Sequence, residues 1–400
     1  MKWVSSFKYL RINYVEDIAS IENTDQKVVF YNNISGSKVR VRFSNKYAKR
    51  NLVIDEAYIG VIRNGKDIGK EALKVDGKPV VTLKPGQEIF SDETLLEVSA
   101  GDKLYVLLHF GQKQIYESIC CFWADDGAKV TLERDGREIS RDIISEFMKN
   151  DPNIHMQSMF IGFDAVQVLT FDETKTIAAF GDSITHMSFY TNALTKRLYN
   201  EYFEKVSVIN CGIGGNRLIS DATFVKAAGK ELLLFGEAGV KRFEKDVFEI
   251  DDVDAVCVLI GINDIMHPIQ LEEKEETISS EDLIQGYRQI IECAHENGAE
   301  IFFGTIMPSG NDDYPKWWIE KFEKVRNEVN DWIRKGELHD GYFDFDKALQ
   351  DANRPGYMRN NMNIGDGLHP NTLGGMEMAK AVDIKTIMGE KRIISHKKNQ

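Results

Sequence analysis

The stretch AAFGDSITHM (residues 178–187) decides how the second half of the chain folds. An apolar run, TIAAF, stops abruptly at Gly181-Asp182-Ser183. Strands buried on both faces of a parallel sheet read as near-continuous apolar runs. A small residue, an acid and a hydroxyl placed where such a run ends mark its carboxyl end, and open parallel sheets bind ligands beyond that edge. Working outward, the texture repeats. A helical pattern, YTNALTKRLYNEYF, leads to VSVIN (206–210), and DAVCVLIG (254–261) leads to the long pattern SSEDLIQGYRQIIECAHENG. There Ser280 is placed as an N-cap and Gly298 as a C-terminal stop. EIFFGTI (300–306), the helix PKWWIEKFEKVRNEVNDWIRKG, GYFDF and a last helix TLGGMEMAKAVDIKTIM complete the series. Strand–helix alternation predicts a parallel sheet covered by helices on both faces.

Upstream the texture differs. KVRVRFSN (38–45) alternates charged and apolar residues, as a half-buried strand does. LVIDEAYIGVI, KPVVTL and KLYVLLHF follow, separated by turns such as RNGKD, VDGK and LKPGQ. This predicts an all-β sandwich or jelly roll over residues 1–165, ahead of an α/β domain over 166–400. The junction FMKNDPNIHMQSMFIGFDAVQVLTFDET is not rich in Gly or Ser, so it is expected to pack and to fix the two domains against each other. In the β half the cluster CCFWADD (120–126) reads as core plus a turn, with Trp123 as its one residue able to face a ligand.

Bulk composition excludes several functions. Of 400 residues, 42% are apolar and 28% charged, with a net charge of −13, which disfavours non-specific attraction to nucleic acid or an anionic membrane. The short basic tail HKKNQ reads as a solvated end. No signal-peptide core opens the chain and no apolar run approaches membrane-helix length, so a cytoplasmic location is expected unless a leader has been removed. The five cysteines, Cys120, Cys121, Cys211, Cys257 and Cys293, are odd in number and scattered, and read as buried free thiols.

Four polar clusters fall at predicted strand ends or just before the final helix: Gly181-Asp182-Ser183, NCGIGGNR (210–217), GINDI (261–265) and DGLHP (366–370). Their residue types suit acyl transfer. A serine hydroxyl needs a base to take its proton. His369 can serve, and Asp366, three residues earlier, can hold the imidazole in the right tautomer. Attack on an ester creates an oxyanion that needs preorganised donors. The Ser183 N–H, a glycine N–H from the second cluster (Gly214 or Gly215) and the Asn263 amide are the candidates. Asp182 either touches substrate or anchors the turn by accepting backbone N–H groups. Asn216 and Arg217 are placed along the pocket, with a surface ion pair as the other role for Arg217. His186 and His267 read as wall residues, and one of Trp317 and Trp318 as core. The long insertion GGNRLISDATFVKAAGKELLLFGEAGVKRFEKDVFEI is placed to shape the site.

In these four blocks the chain resembles the SGNH, or GDSL-type, serine hydrolases. GDSI carries the nucleophile Ser183, NCGIGGN the oxyanion donor Gly215, GIND the donor Asn263, and DGLH the pair Asp366 and His369. The likeness spans roughly residues 176–388. It implies a flavodoxin-like three-layer α/β/α domain, an acyl-enzyme, and no metal or organic cofactor. GSKVRVRFSNKYAKRNLVIDEAYIG and SDETLLEVSAGDKLYVLLHFG are similar to the jelly-roll-like β domain that precedes some GDSL-type acylhydrolases. The resemblance makes a small-molecule or oligosaccharide ester the expected substrate, a carbohydrate O-acetyl group first. It leaves open a lysophospholipase or thioesterase of the same fold, or a glycan-binding protein on an inert hydrolase scaffold. Oligomeric state is not set by the sequence.

Overall fold

A computed structural model describes residues 1–14, 19–139, 158–221, 224–225, 230–270 and 277–390. The apolar runs of the second half form five parallel strands: β1 (Lys175–Gly181), β2 (Val206–Gly212), β3 (Ala255–Leu259), β4 (Glu300–Gly304) and β5 (Gly341–Phe343). Their order across the sheet is β2-β1-β3-β4-β5, the flavodoxin-like order, with its switch point where the chain leaves β1 outward to β2 and returns to β3. Nine described helices follow in sequence: α1 (Ser183–His186), α2 (Phe189–Glu201), α3 (Gly239–Phe248), α4 (Ile262–Gln270), α5 (Ser280–Glu296), α6 (Lys316–Lys335), α7 (Phe345–Leu349), α8 (Thr372–Ala381) and α9 (Ile384–Ile387). On one side of the sheet α2 packs on α8, and on the other α5 packs against both α3 and α6. Right-handed crossovers in this strand order place the two groups on opposite faces, giving three layers.

Two helix boundaries correct the sequence reading. The N-cap of α5 is Ser279, not Ser280. Its side chain accepts from the Asp282 N–H while Asp282 accepts from the Ser279 N–H, a reciprocal capping box. The expected last helix is two. It ends at Ala381, and Asp383 caps a new turn by accepting from the Thr386 N–H. The stop at Gly298 holds, with φ of 77°, a left-handed conformation that glycine adopts without a Cβ penalty.

The first half is β throughout its described residues. One antiparallel sheet contains Lys2–Lys8, Gly162–Thr170 and Gly36–Ser44, the last also pairing with Glu88–Phe90 and Thr94–Val98. The second runs through Ala128–Arg134, Thr24–Tyr31, Lys103–Phe110, Glu56–Arg63 and Lys66–Ala72. Val39, Val41, Phe43, Val166 and Val168 of the first meet Val28, Phe30, Ile59, Val61, Leu104 and Val106 of the second in one sandwich core.

The first sheet is also a wall shared with the α/β domain, so strand Gly162–Thr170 is buried on both faces apart from one half-buried residue. Its outer face is polar and paired. Gln167 donates to the Ile250 carbonyl, the Ser5 N–H and hydroxyl donate to Asp251, and Arg42 bridges Asp164 and Glu249. The expected packing of the junction is met over residues 158–174, whose strands join the β half. Residues 147–157 and the basic tail lie outside the described residues. No described helix is long and apolar enough to cross a membrane.

Candidate active site

Ser183 is the first residue of α1, immediately beyond β1. Asp182 sets that turn by accepting the Ile184 N–H at 3.0 Å while its own N–H donates to the Leu259 carbonyl of β3. The four polar clusters are stitched to one another at the carboxyl edge. The Ile213 N–H donates to the Gly181 carbonyl, and the Asn263 Nδ2 donates to the Asn216 carbonyl at 3.0 Å. Asp264, which the sequence reading passed over beside Asn263, accepts the N–H groups of Leu218 and Ile219 at 2.7 and 3.0 Å.

Between β5 and α8, Asp366 Oδ1 accepts the N–H groups of Leu368 and His369, both at 2.9 Å. Its Oδ2 lies 2.6 Å from His369 Nδ1, and His369 Nε2 lies 2.8 Å from Ser183 Oγ. The carboxylate draws the imidazole proton to Nδ1, which leaves Nε2 as an acceptor for the serine hydroxyl. Burial alone would raise the Asp366 carboxyl, yet the hydrogen bond and charge of His369, with the two backbone donors, hold it below its ordinary value. Asn363 fixes the loop by accepting from the N–H groups of Gly365 and Gly367.

The two glycine N–H groups of the second cluster differ in their partners. The Gly214 N–H donates to the ring of His186, whereas the Gly215 N–H makes no hydrogen bond with a described residue. Gly215 sits at φ 72°, and a Cβ there would run into the ring of Phe235. Phe235 belongs to a 3₁₀ turn of the insertion, Leu233–Phe235, and tilts onto His267 with ring centres 5.1 Å apart.

Asn216 and Arg217, placed along the pocket by the sequence, turn into the protein instead, and Asp182 takes the turn-anchoring role of its two. Asp182 is 1% exposed, and burial pushes its carboxyl up to about 7. Asn216 is 0% exposed: its amide donates to the carbonyls of Phe235 and Glu237, and its oxygen accepts from Arg242 Nε. Arg217 is buried and donates to the Asp221 carbonyl. Asn216 shapes its loop because its side-chain polar atoms already have partners inside the fold. His186 and His267 are both buried, as wall residues would be. Trp318 is 2% exposed and stacks on Phe322, while its neighbour Trp317 is 58% exposed. Trp123 meets the ring of His186 edge-on at 5.2 Å.

Sequence reasoning also missed Arg242. Its guanidinium lies 4.2 Å over the Phe180 ring and donates to the carbonyls of Gly181 and Cys211, to Asn216 and to Asp246. It ties the ends of β1 and β2 to the glycine loop from below. No motif announces it; the spacing Arg242-x-x-x-Asp246 is an ordinary helical ion pair.

Residues 179–375 match the family described as GDSL-like lipase/acylhydrolase. The α/β half of this chain is a GDSL-like acylhydrolase domain. The β half precedes the matched residues. Among solved structures, the chain is similar to a variant of an acetyl xylan esterase from Geobacillus stearothermophilus, at 19% identity over 55% of this chain and 97% of that one, with a TM-score of 0.40. An α/β hydrolase from the metagenome of Lake Arreo, Spain, matches at 17% over 55% and 97%, with a TM-score of 0.40. A GDSL-like lipase from Bacteroides thetaiotaomicron matches at 15% over 54% and 88%, with a TM-score of 0.35. No curated protein matches the sequence.

Proposed function

We propose that the protein is a serine esterase that hydrolyses short-chain acyl esters, O-acetyl groups of carbohydrates first among them. The observation that carries this is the continuous chain of contacts from Asp366 through His369 to Ser183, at 2.6 and 2.8 Å. His369 Nε2 takes the hydroxyl proton as Ser183 Oγ attacks the ester carbonyl, and Asp366 stabilises the imidazolium that forms. The oxyanion is held by the N–H groups of Ser183 and Gly215 and by the amide hydrogen of Asn263 not directed at Asn216. His369 then returns its proton to the leaving alcohol, the acyl-enzyme forms, and the same imidazole activates water to release the acid. The Phe235 ring, wedged against Gly215 and His267, supports a small acyl group by walling the oxyanion side.

The test pairs a fluorophosphonate label with p-nitrophenyl esters from acetate to octanoate. Parent protein takes one label and cleaves acetate best, and Ser183→Ala loses both properties. Parental acetate cleavage by Ser183→Ala refutes the nucleophile, and a rate that climbs towards octanoate refutes the short acyl group. Release of acetate from acetylated xylo-oligosaccharides, measured against acetyl-CoA and lysolipid, tests the carbohydrate.

A further inference from the structure

We propose that His186 is a positioning residue through which the β domain aims the oxyanion loop, an inference that rests on the esterase reading above. His186 closes α1, three residues after Ser183, and is 1% exposed. Its ring faces three groups. Nδ1 accepts the Gly214 N–H at 3.2 Å, Nε2 lies 3.5 Å from the Cys121 sulfur, and Trp123 packs edge-on. Because Nδ1 accepts a backbone N–H it carries no proton, so the neutral ring holds its proton on Nε2 and directs it to the sulfur. Burial pushes the imidazole down to about 4, which keeps the ring neutral through the neutral range.

The consequence lies in two consecutive peptide groups. One N–H of the loop, that of Gly214, is spent on His186; the next, that of Gly215, is left for an oxyanion. Holding the first fixes the plane from which the second projects. Glycine has no side chain to do this, so the anchor has to come from elsewhere. The backbones fit closely as well: a Cβ on Gly212 would lie 2.5 Å from the His186 backbone nitrogen.

The anchor itself is set by the β domain. Beyond Cys121 and Trp123, the N–H groups of Trp123 and Ala124 both donate to the Met187 carbonyl at the end of α1, at 3.3 and 3.0 Å. The Tyr9 hydroxyl lies 2.9 Å from the Ser188 hydroxyl, and Asn192 donates to the Ala124 carbonyl and to Asp126. The cluster CCFWADD thus grips the nucleophile turn from behind.

Two near-isosteric substitutions separate positioning from packing. Asn places an acceptor where Nδ1 stands; Gln places its amide where Nε2 stands and leaves Gly214 unpaired. Gln is closer to His in size, so a packing role predicts that Gln is the milder change. A positioning role predicts the reverse. His186→Asn retains kcat on p-nitrophenyl acetate within about threefold, and His186→Gln loses about 10- to 100-fold, the scale of a misplaced catalytic group, with KM within about twofold. Ser183 remains stoichiometrically labelled by fluorophosphonate in both. Equal kcat in the two variants, or a higher kcat for Gln, overturns the proposal. Cys121→Ala, which leaves the Gly214 contact but removes the sulfur facing Nε2, lowers kcat about three- to tenfold. Full kcat in Cys121→Ala overturns the β domain's part. If parent protein neither hydrolyses the ester nor takes the label, the esterase reading itself fails. An active parent with an unaffected His186→Gln removes this inference alone.

Discussion

Asn263→Ala puts the proposed oxyanion site under the most direct strain. Asn263 is the second residue of α4, is buried, and donates one amide hydrogen to the Asn216 carbonyl at 3.0 Å. The substitution removes that tie and, in the proposed mechanism, one of three oxyanion donors. Loss of one such donor costs about 10²–10³ in kcat, or roughly 3 kcal/mol of barrier. Loss of the tie costs about 1 kcal/mol of folding stability, rising to about 3 where the carbonyl stays dry. The two effects are read separately. Initial rates on p-nitrophenyl acetate give kcat and KM, and urea unfolding gives stability. The expected outcome is a kcat lower by about two to three orders of magnitude, KM nearly unchanged, and a modest shift in the unfolding midpoint. Asn263→Asp sharpens the test. It keeps the shape but replaces donors with a carboxylate facing the developing negative charge, so its kcat falls below that of Asn263→Ala. A folded Asn263→Ala enzyme with kcat within about threefold of parent would refute the oxyanion role. An Asp variant more active than the Ala variant would refute the electrostatic argument behind it.

Gly215→Ala forces a Cβ into the left-handed region at φ 72° and into the Phe235 ring, so it lowers stability by about 1–3 kcal/mol and kcat with it. Adding Phe235→Ala relieves the contact and recovers part of the melting temperature; an unchanged melting temperature in the single variant contradicts the geometry. Asp182→Asn tests the buried carboxyl through pH. Burial raises Asp182 in the folded protein to about 7, against about 4 when unfolded, so the folded state holds the extra proton between those values. Parent protein therefore loses stability from this group as pH rises from about 4 to about 7, by up to about 1.4 kcal/mol per pH unit. The Asn variant lacks that loss, so its stability relative to parent grows across the same window and levels off above it. A difference that stays constant from pH 5 to pH 8 in urea unfolding eliminates the raised carboxyl.

The site was legible where chemistry interrupts a pattern. Ser183, Asn263 and the pair Asp366 and His369 follow, or sit near, the ends of apolar runs, and polar residues there have no packing purpose to hide behind. The parallel sheet covered on both faces followed from the alternation of strands and helices, and its flavodoxin-like order from the family resemblance. Boundaries were harder. Ser279 and Ser280 are the same residue type, and only the reciprocal bond with Asp282 separates them; the spacing Ser-x-x-Asp was present as a signal, whereas Ser280 has Leu283 at the matching position. The break after Ala381 has no proline or glycine to announce it, and Asp383 does the work as a cap. Asn216 and Arg217 show the limit of proximity arguments. A polar residue beside a motif faces substrate only if its hydrogen bonds are not already taken, and Asn216 spends its side chain on Phe235, Glu237 and Arg242. Cys121 and His186 are 65 residues apart and lie in different domains, so no local pattern joins them.

The position of the β domain follows from a weakness of the parallel sheet. In the order β2-β1-β3-β4-β5, β2 is an edge strand, and an uncovered edge presents unpaired backbone groups to any other chain. Here the β domain covers it. Asn33 donates to the Val206 carbonyl at 2.9 Å, the Ser207 hydroxyl donates to the Ser5 carbonyl at 2.6 Å, and strand Lys2–Lys8 packs along β2. The same strand continues into the glycine loop, so the contact that protects the edge also sets where Gly214 and Gly215 emerge. A substitution that loosened this seam, such as Ser5→Ala, which removes the hydroxyl bond to Asp251, would therefore be felt twice, as lost stability at the domain interface and as lost precision at the oxyanion loop. Protection of the edge and aim of the loop are one structural task, because both depend on holding β2 against a neighbour outside its own sheet.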